Sequence, residues 1–152
     1  MSSEATSMRQ TRIYVPLSPA ALRRLAAQRS LGGSDLAAFA VTQQLERAHP
    51  GLDAEALEYQ ALCDAADAAI VLRAQLGDRR VVAAADVEPE SVAAPHVPEH
   101  RPSQIRVTEA VPLGRVVSFH VDESGSVVEG GAEPDLLWYD ATELDTVLDL
   151  FR

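Results

Sequence analysis

Apolar positions along the chain fall into several short blocks and one long helical stripe, separated by Gly, Pro and acidic clusters. Arg12-Ile13-Tyr14-Val15-Pro16-Leu17 reads as a short strand, and Ser18-Pro19 supplies an N-cap followed by proline at the first helical position. Leu22, Leu25 and Ala26 then recur at helical spacing, with Arg23 and Arg24 on the other side and Gly32-Gly33 as the stop. Leu36 to Thr42 is read as a short strand ending at Thr42, and a helical turn through Leu45 and Ala48 follows until Pro50-Gly51 breaks it. The stretch from Asp53 to Leu76 contains no Gly or Pro. Asp53 is its N-cap, and Leu57, Ala61, Ala65, Ala68, Leu72 and Leu76 form one stripe, widened by Leu62, Ala69 and Ile70. A helix of that length would be about 35 Å long and would cross the whole fold.

Arg79 to Asp86 reads as a buried strand, because its apolar residues run consecutively instead of alternating. Pro89, Pro95, Pro98 and Pro102 make residues 88–103 a loop. Ile105 to Thr108 and Arg115 to Asp122 are further strands, with a turn at Pro112 to Gly114 between them. Residues 123–135 form an acidic, Gly-rich loop with a small hairpin around Val127 and Val128. Leu136 to Asp140 is a last strand, and Thr142 caps a terminal helix from Glu143 to Phe151. Residues 1–11 read as a disordered leader. The remainder, 12–152, is expected to be a single α/β domain: a mixed sheet of about five or six strands packed against one long helix and shorter helices.

Several of these segments carry a resemblance. The Arg-Ile-Tyr-Val-Pro-Leu strand with its Leu-Arg-Arg-Leu helix, Phe39-Ala40-Val41-Thr42, Leu57-Glu58-Tyr59, Val81 to Asp86, Phe119 to Asp122 and Leu137-Trp138-Tyr139-Asp140 resemble a family of short actinobacterial proteins grouped as a domain of unknown function. The resemblance spans about residues 12–150 and implies no catalytic roles.

Composition narrows the classes. A chain of 152 residues with 47% hydrophobic and 24% charged positions matches an ordinary globular fold, which rules out wholesale disorder and fibrous repeats. Thirteen basic residues stand against 23 acidic ones for a net charge of −10, and every basic residue is Arg. The absence of Lys excludes a Walker A lysine, a Schiff-base lysine and a Ser-Lys pair. Five Arg against Glu4 give residues 1–30 a balance of +4, which leaves −14 for residues 31–152. Arg23, Arg24 and Arg29 read as a solvated helix face paired with the acidic remainder, or as a docking patch for an acidic partner. The overall charge disfavours nucleic acid. Cys63 is alone, so no internal disulfide or cysteine zinc cage forms within one chain. No signal-peptide pattern and no membrane-length apolar run is present, which points to a cytoplasmic protein with no membrane partner.

Each motif that suggests chemistry also has a plainer role. His96-Val97-Pro98-Glu99-His100 spells the H-x-x-E-H pattern of a class of zinc peptidases, but Pro95, Pro98 and Pro102 forbid the helix that would bring both imidazoles to one face. Asp86, Asp122 and Asp140 each close an apolar strand. If those strands are parallel neighbours, their carboxylates meet at one sheet edge and would hold Mg²⁺, with His120 as a proton carrier beside Asp122. Turn formation is the plainer role for the same aspartates. Glu58, Tyr59, Asp64 and Asp67 read as a solvated helix face, or as a groove for a basic partner. Trp138 and Tyr139 would point to opposite faces of their strand, one in the core and one free to anchor an interface. No Gly-rich phosphate loop or G-x-S-x-G elbow is present.

These residues support a non-enzymatic cytoplasmic protein-interaction or regulatory module, without a cofactor, that meets a protein partner or a second copy of itself through Trp138, Tyr139, Arg23 and Arg24. The alternative is a small metal-dependent enzyme or nucleotide binder that uses Asp86, Asp122 and Asp140 as Mg²⁺ ligands and His120 and Asp122 as catalytic groups.

Overall fold

A computed structural model describes residues 10–73, 78–123 and 136–151. Nine strands and four helices lie among these residues. The strands are β1 (Thr11–Leu17), β2 (Ser30–Leu31), β3 (Leu36–Ala40), β4 (Val81–Val87), β5 (Val92–Ala93), β6 (Gln104–Val107), β7 (Val111–Pro112), β8 (Val116–Asp122) and β9 (Leu136–Asp140). The helices are α1 (Pro19–Gln28), α2 (Gln43–Ala48), α3 (Ala54–Ile70) and α4 (Leu144–Asp149). Seven strands form one sheet in the order β5-β6-β3-β1-β4-β8-β9, and β2 pairs with β7 separately. The α/β class expected from the pattern is the class observed. All the ladders are antiparallel, however, and the sheet is wider than five or six strands.

The two faces of the sheet bury different side chains. Ile13, Val15 and Leu17 of β1, Val81, Ala83 and Ala85 of β4, and Phe119 and Val121 of β8 pack with Leu22 and Leu25 of α1 and with Leu144 and Val147 of α4. The alternate residues Tyr14, Phe39, Val82 and Ala84 face Ala61, Ala65, Ala66 and Ala69 of α3. Central strand β4 is therefore covered on both sides, and this explains its unbroken apolar run in an antiparallel setting. Alanines on α3 let its backbone approach β1, β3 and β4 closely.

Helix α3 starts as expected, with the Asp53 carboxylate accepting from the Ala56 N–H at 2.9 Å. It ends six residues before Leu76. The Leu72 N–H donates to the Ala69 carbonyl, the Arg73 side chain donates to the Ile70 carbonyl, and Val71 and Leu72 are exposed, so the length is about 25 Å. Residues 74–77 lie outside the described residues.

Local differences elsewhere have equally local causes. Helix α1 stops at Gln28 because Arg29 takes a left-handed conformation (φ 59°) and returns its N–H to the Leu25 carbonyl; Gly32 (φ 71°) serves the following turn. Thr42 does not end a strand but caps α2. The Pro-rich segment opens with a 3-10 turn at Pro89–Ser91 and edge strand β5. At the chain's other end Asp140, not Thr142, is the cap. Its side chain accepts from the Thr142 N–H while Glu143 accepts from the Asp140 N–H, closing a capping box over the 3-10 turn Ala141–Glu143 before α4. The hairpin expected at Val127 and Val128, and the leader through residue 9, lie outside the described residues.

Two buried polar clamps hold the layers. Arg80, which precedes β4, donates from Nε (3.0 Å) and Nη2 (2.8 Å) to the Asp122 carboxylate at the end of β8, and its backbone N–H donates to the same group at 2.8 Å. The side chains are 0% and 4% exposed. On α3, Asp64 accepts from Ser103 at 2.6 Å, from Arg101 at 2.8 Å and from Gln60 at 3.1 Å, which ties the Pro-rich segment to the helix. Asp64 is thus a buried acceptor and not part of a solvated face.

Removal of one partner from the Arg80–Asp122 pair would strand a buried charge, so Asp122→Ala is expected to cost about 3–5 kcal/mol of unfolding free energy. Arg80 Nη1 lacks a hydrogen-bond partner, which weakens the case for the intact pair over an apolar one. The double variant Arg80→Met/Asp122→Leu is therefore expected to recover most of that loss in urea unfolding.

Candidate functional site

Register places the sequence-derived residues individually. Arg80 stands opposite Asp122 at one end of the β4–β8 ladder, whereas Asp86 lies six residues further along β4, about 20 Å away. Asp140 pairs with Ser118, which pairs with Ala84, toward the Asp86 end. The three carboxylates therefore do not converge, because antiparallel pairing sends consecutive strand ends to opposite edges. Each has its own local partner: Asp86 binds Arg12 (2.6 Å), Asp122 binds Arg80 and Asp140 caps its turn. No group of three or more His, Cys, Asp or Glu suited to a metal ion occurs among the described residues. His96 lies in a bend and approaches Asp35 at 3.3 Å.

What the register does bring together is a polar row on the sheet face that carries α3. Val82 of β4, His120 of β8 and Trp138 of β9 are cross-strand neighbours, and so are Ala84, Ser118 and Asp140. Helix α3 rests on β3, β1 and β4, so this row lies to its side. Ser118 Oγ and His120 Nε2 are 3.0 Å apart and share a hydrogen bond. Nearby, the Tyr14 hydroxyl donates to Glu58 on α3 at 3.1 Å, and Arg12 forms its two-pronged contact with Asp86. Burial pushes the Tyr14 hydroxyl above the usual phenol range, with the adjacent Glu58 charge adding to the effect. The Asp86 hydrogen bond raises the Arg12 guanidinium above its ordinary value.

His120 is brought down to about 4, first by burial and then by the positive charge of Arg12. It is neutral at pH 7, with Ser118 as its hydrogen-bond partner. A serine bonded to an imidazole is the starting pair of nucleophilic catalysis. Ser118, though, is only 3% exposed, so in this arrangement its hydroxyl is closed to a reacting group. The pair instead satisfies polar atoms between β4 and β9.

The open part of the row is β9. Trp138 is 60% and Leu137 is 39% exposed, while Tyr139 leans into the core on the opposite face. Of the two aromatics Trp138 is the exposed one, and Tyr139 is half-buried against the core. Strand β9 is also an edge of the sheet. Because the Asp140 N–H is used by Glu143, Asp140 is turned away from β8, and Trp138 and Leu136, of the same parity, point their N–H and C=O groups to the free edge. The other edge, β5, has two residues and runs on to Pro95 and Pro98. Arg23 and Arg24 are exposed on α1 and make no ion pair to a described residue. Arg23 lines a groove of about 340 Å³ with Ala26, Leu148 and Phe151; Arg24 borders another of about 350 Å³ near Leu31 and Leu72.

Comparison with known proteins places the chain in a family: it belongs to DUF6912, a family of unknown function, whose sequence model matches residues 11–148. No curated protein and no solved structure matches it. No helix among the described residues is long and apolar enough to cross a membrane.

Because folding keeps His120 unprotonated, its contribution to stability is complete above the unfolded value near 6.5 and is lost as pH falls toward about 4. The urea midpoint is expected to drop over that interval more steeply in the wild type than in His120→Gln, which has nothing to titrate. Parallel curves for the two proteins would refute the assignment.

Proposed function

Membership of DUF6912 brings no inherited activity, and we propose that this chain is a cytoplasmic protein-interaction module that receives an extended segment of a partner at β9. The observation that carries the reading is Trp138, a large aromatic 60% exposed on an edge strand. Edge strands present unpaired backbone groups, and strand addition uses them for affinity while side-chain neighbours supply specificity. Natural sheets usually blunt such an edge with charge, proline or a bulge. The Leu136-Leu137-Trp138-Tyr139 segment has none of the first two, and its regular pairing with β8 shows no bulge. Exposed aromatics of this kind are the usual anchors of interfaces. A lone cysteine agrees with a reducing compartment.

The reading is tested by installing a photo-reactive residue at Leu137 and, as a control, at Val71, which is 83% exposed at the C-terminal end of α3. Discrete cross-linked species are expected at position 137 and not at 71; matching patterns at both would overturn it. Trp138→Ala is expected to change folding stability by no more than about 1 kcal/mol, as for other exposed positions, while it removes the discrete cross-links from position 137.

A further inference from the structure

Resting on that reading, we propose that the segment received by β9 is basic, with Arg or Lys at alternate positions and apolar residues between them. The two faces of β9 offer an added strand different surroundings. Trp138 and Asp140 lie on one face, in cross-strand register with His120 and Ser118, and Leu137 and Tyr139 lie on the other. A side chain of the incoming strand set beside Trp138 meets an aromatic ring with the Asp140 carboxylate two residues away. That is the setting for a guanidinium or ammonium, which is drawn to the ring face and to the carboxylate together. The next side chain of the same strand meets Leu137 and Tyr139 and gains by being apolar.

Charge around the strand points the same way. Glu143 and Asp145 are exposed just beyond Asp140, and hydrogen bonds from the Thr142 hydroxyl and N–H hold Asp140 below the usual carboxylate range. Two cations of this face, Arg12 and Arg80, are already bound to Asp86 and Asp122. With a net charge of −10, the chain repels a second copy of itself and attracts a cationic segment, an effect that speeds encounter and sets partner choice.

Trp138 is the only tryptophan in the chain, so its fluorescence reads occupancy of the edge directly. Peptides of about nine residues, alternating Arg–Val, Gln–Val or Glu–Val, are titrated into the full chain to about 1 mM, a range that detects weak strand addition. A fourth peptide, alternating Arg–Pro, keeps the charge but has φ fixed at about −65° at every proline, which disfavours a regular β-ladder. The Arg–Val peptide is expected to shift Trp138 emission to shorter wavelength and to bind roughly five-fold or more tighter than Gln–Val, with that margin shrinking between about 50 and about 500 mM salt. Glu–Val and Arg–Pro are expected to leave the emission unchanged. Equal binding of Arg–Val and Gln–Val would overturn the basic partner and leave the interaction reading standing. An emission shift on raising protein concentration alone, with a dimer in sedimentation, would do the same and name a second copy as the occupant. No shift with any peptide in a monomeric protein would overturn both.

Discussion

The β9 edge exists where it does because β8 is locked in register on β4, and the lock is the buried Arg80–Asp122 pair. Asp122 receives two guanidinium bonds and the Arg80 backbone N–H, and its own N–H returns to the Arg80 carbonyl. Such a closed exchange tolerates no sliding, for a slip of one residue would turn Ser118 and His120 into the core and expose Phe119 and Val121. The opposite end of the same ladder is looser, with a register shift between Ala84 and Ala85. The pair therefore sets the register from one end, and the irregularity is absorbed at the other.

Small residues determine what α3 leaves uncovered. A helix faced with alanines settles close to the sheet, but at about 25 Å in length and one helix in width it shields only the β3, β1 and β4 portion of its face. Beyond it the sheet face cannot be wholly apolar without exposing a patch. The chain places Ser118, His120 and Arg12 there, hydrogen-bonded to one another or to Asp86. The opposite face has Leu22, Leu25, Leu144 and Val147 from two helices and needs no such polar border. The asymmetry leaves Trp138 at the boundary between the polar row and solvent.

Much of this architecture was legible from periodicity and capping chemistry, since both depend on near neighbours. Ser18 and Asp53 cap the helices that they were expected to cap, and the blocks at β1, β4, β8 and β9 are strands. Strand direction was not legible. An apolar run such as Val81 to Ala85 signals cover on both faces, and a central antiparallel strand between helices produces the same run as a parallel one. From that ambiguity came the convergence of Asp86, Asp122 and Asp140, which the antiparallel ladders separate. The Arg80–Asp122 pair was hidden for the same reason. Its signal was an arginine just before one apolar strand and an aspartate just after another, and those positions meet only when the strands run in opposite directions. The truncated α3 has a different origin, because the apolar pattern continues through Leu72 to Leu76 while the helix ends at Ile70, whose carbonyl accepts from the Arg73 side chain.

The same capping box that ends β9 also limits what its edge can do. With the Asp140 N–H taken by Glu143, Leu136 and Trp138 are left to offer outward backbone groups. Four main-chain bonds at about 1 kcal/mol net each would barely reach the lower end of the roughly 4–15 kcal/mol that association costs in lost freedom. Backbone pairing alone therefore cannot hold a partner at this strand. Binding has to draw on side chains, and those within reach are Trp138 and Asp140 on one face and Leu137 and Tyr139 on the other. A short edge of this kind selects its partner through alternating side-chain chemistry, because the ladder that orients the incoming strand is too brief to secure it.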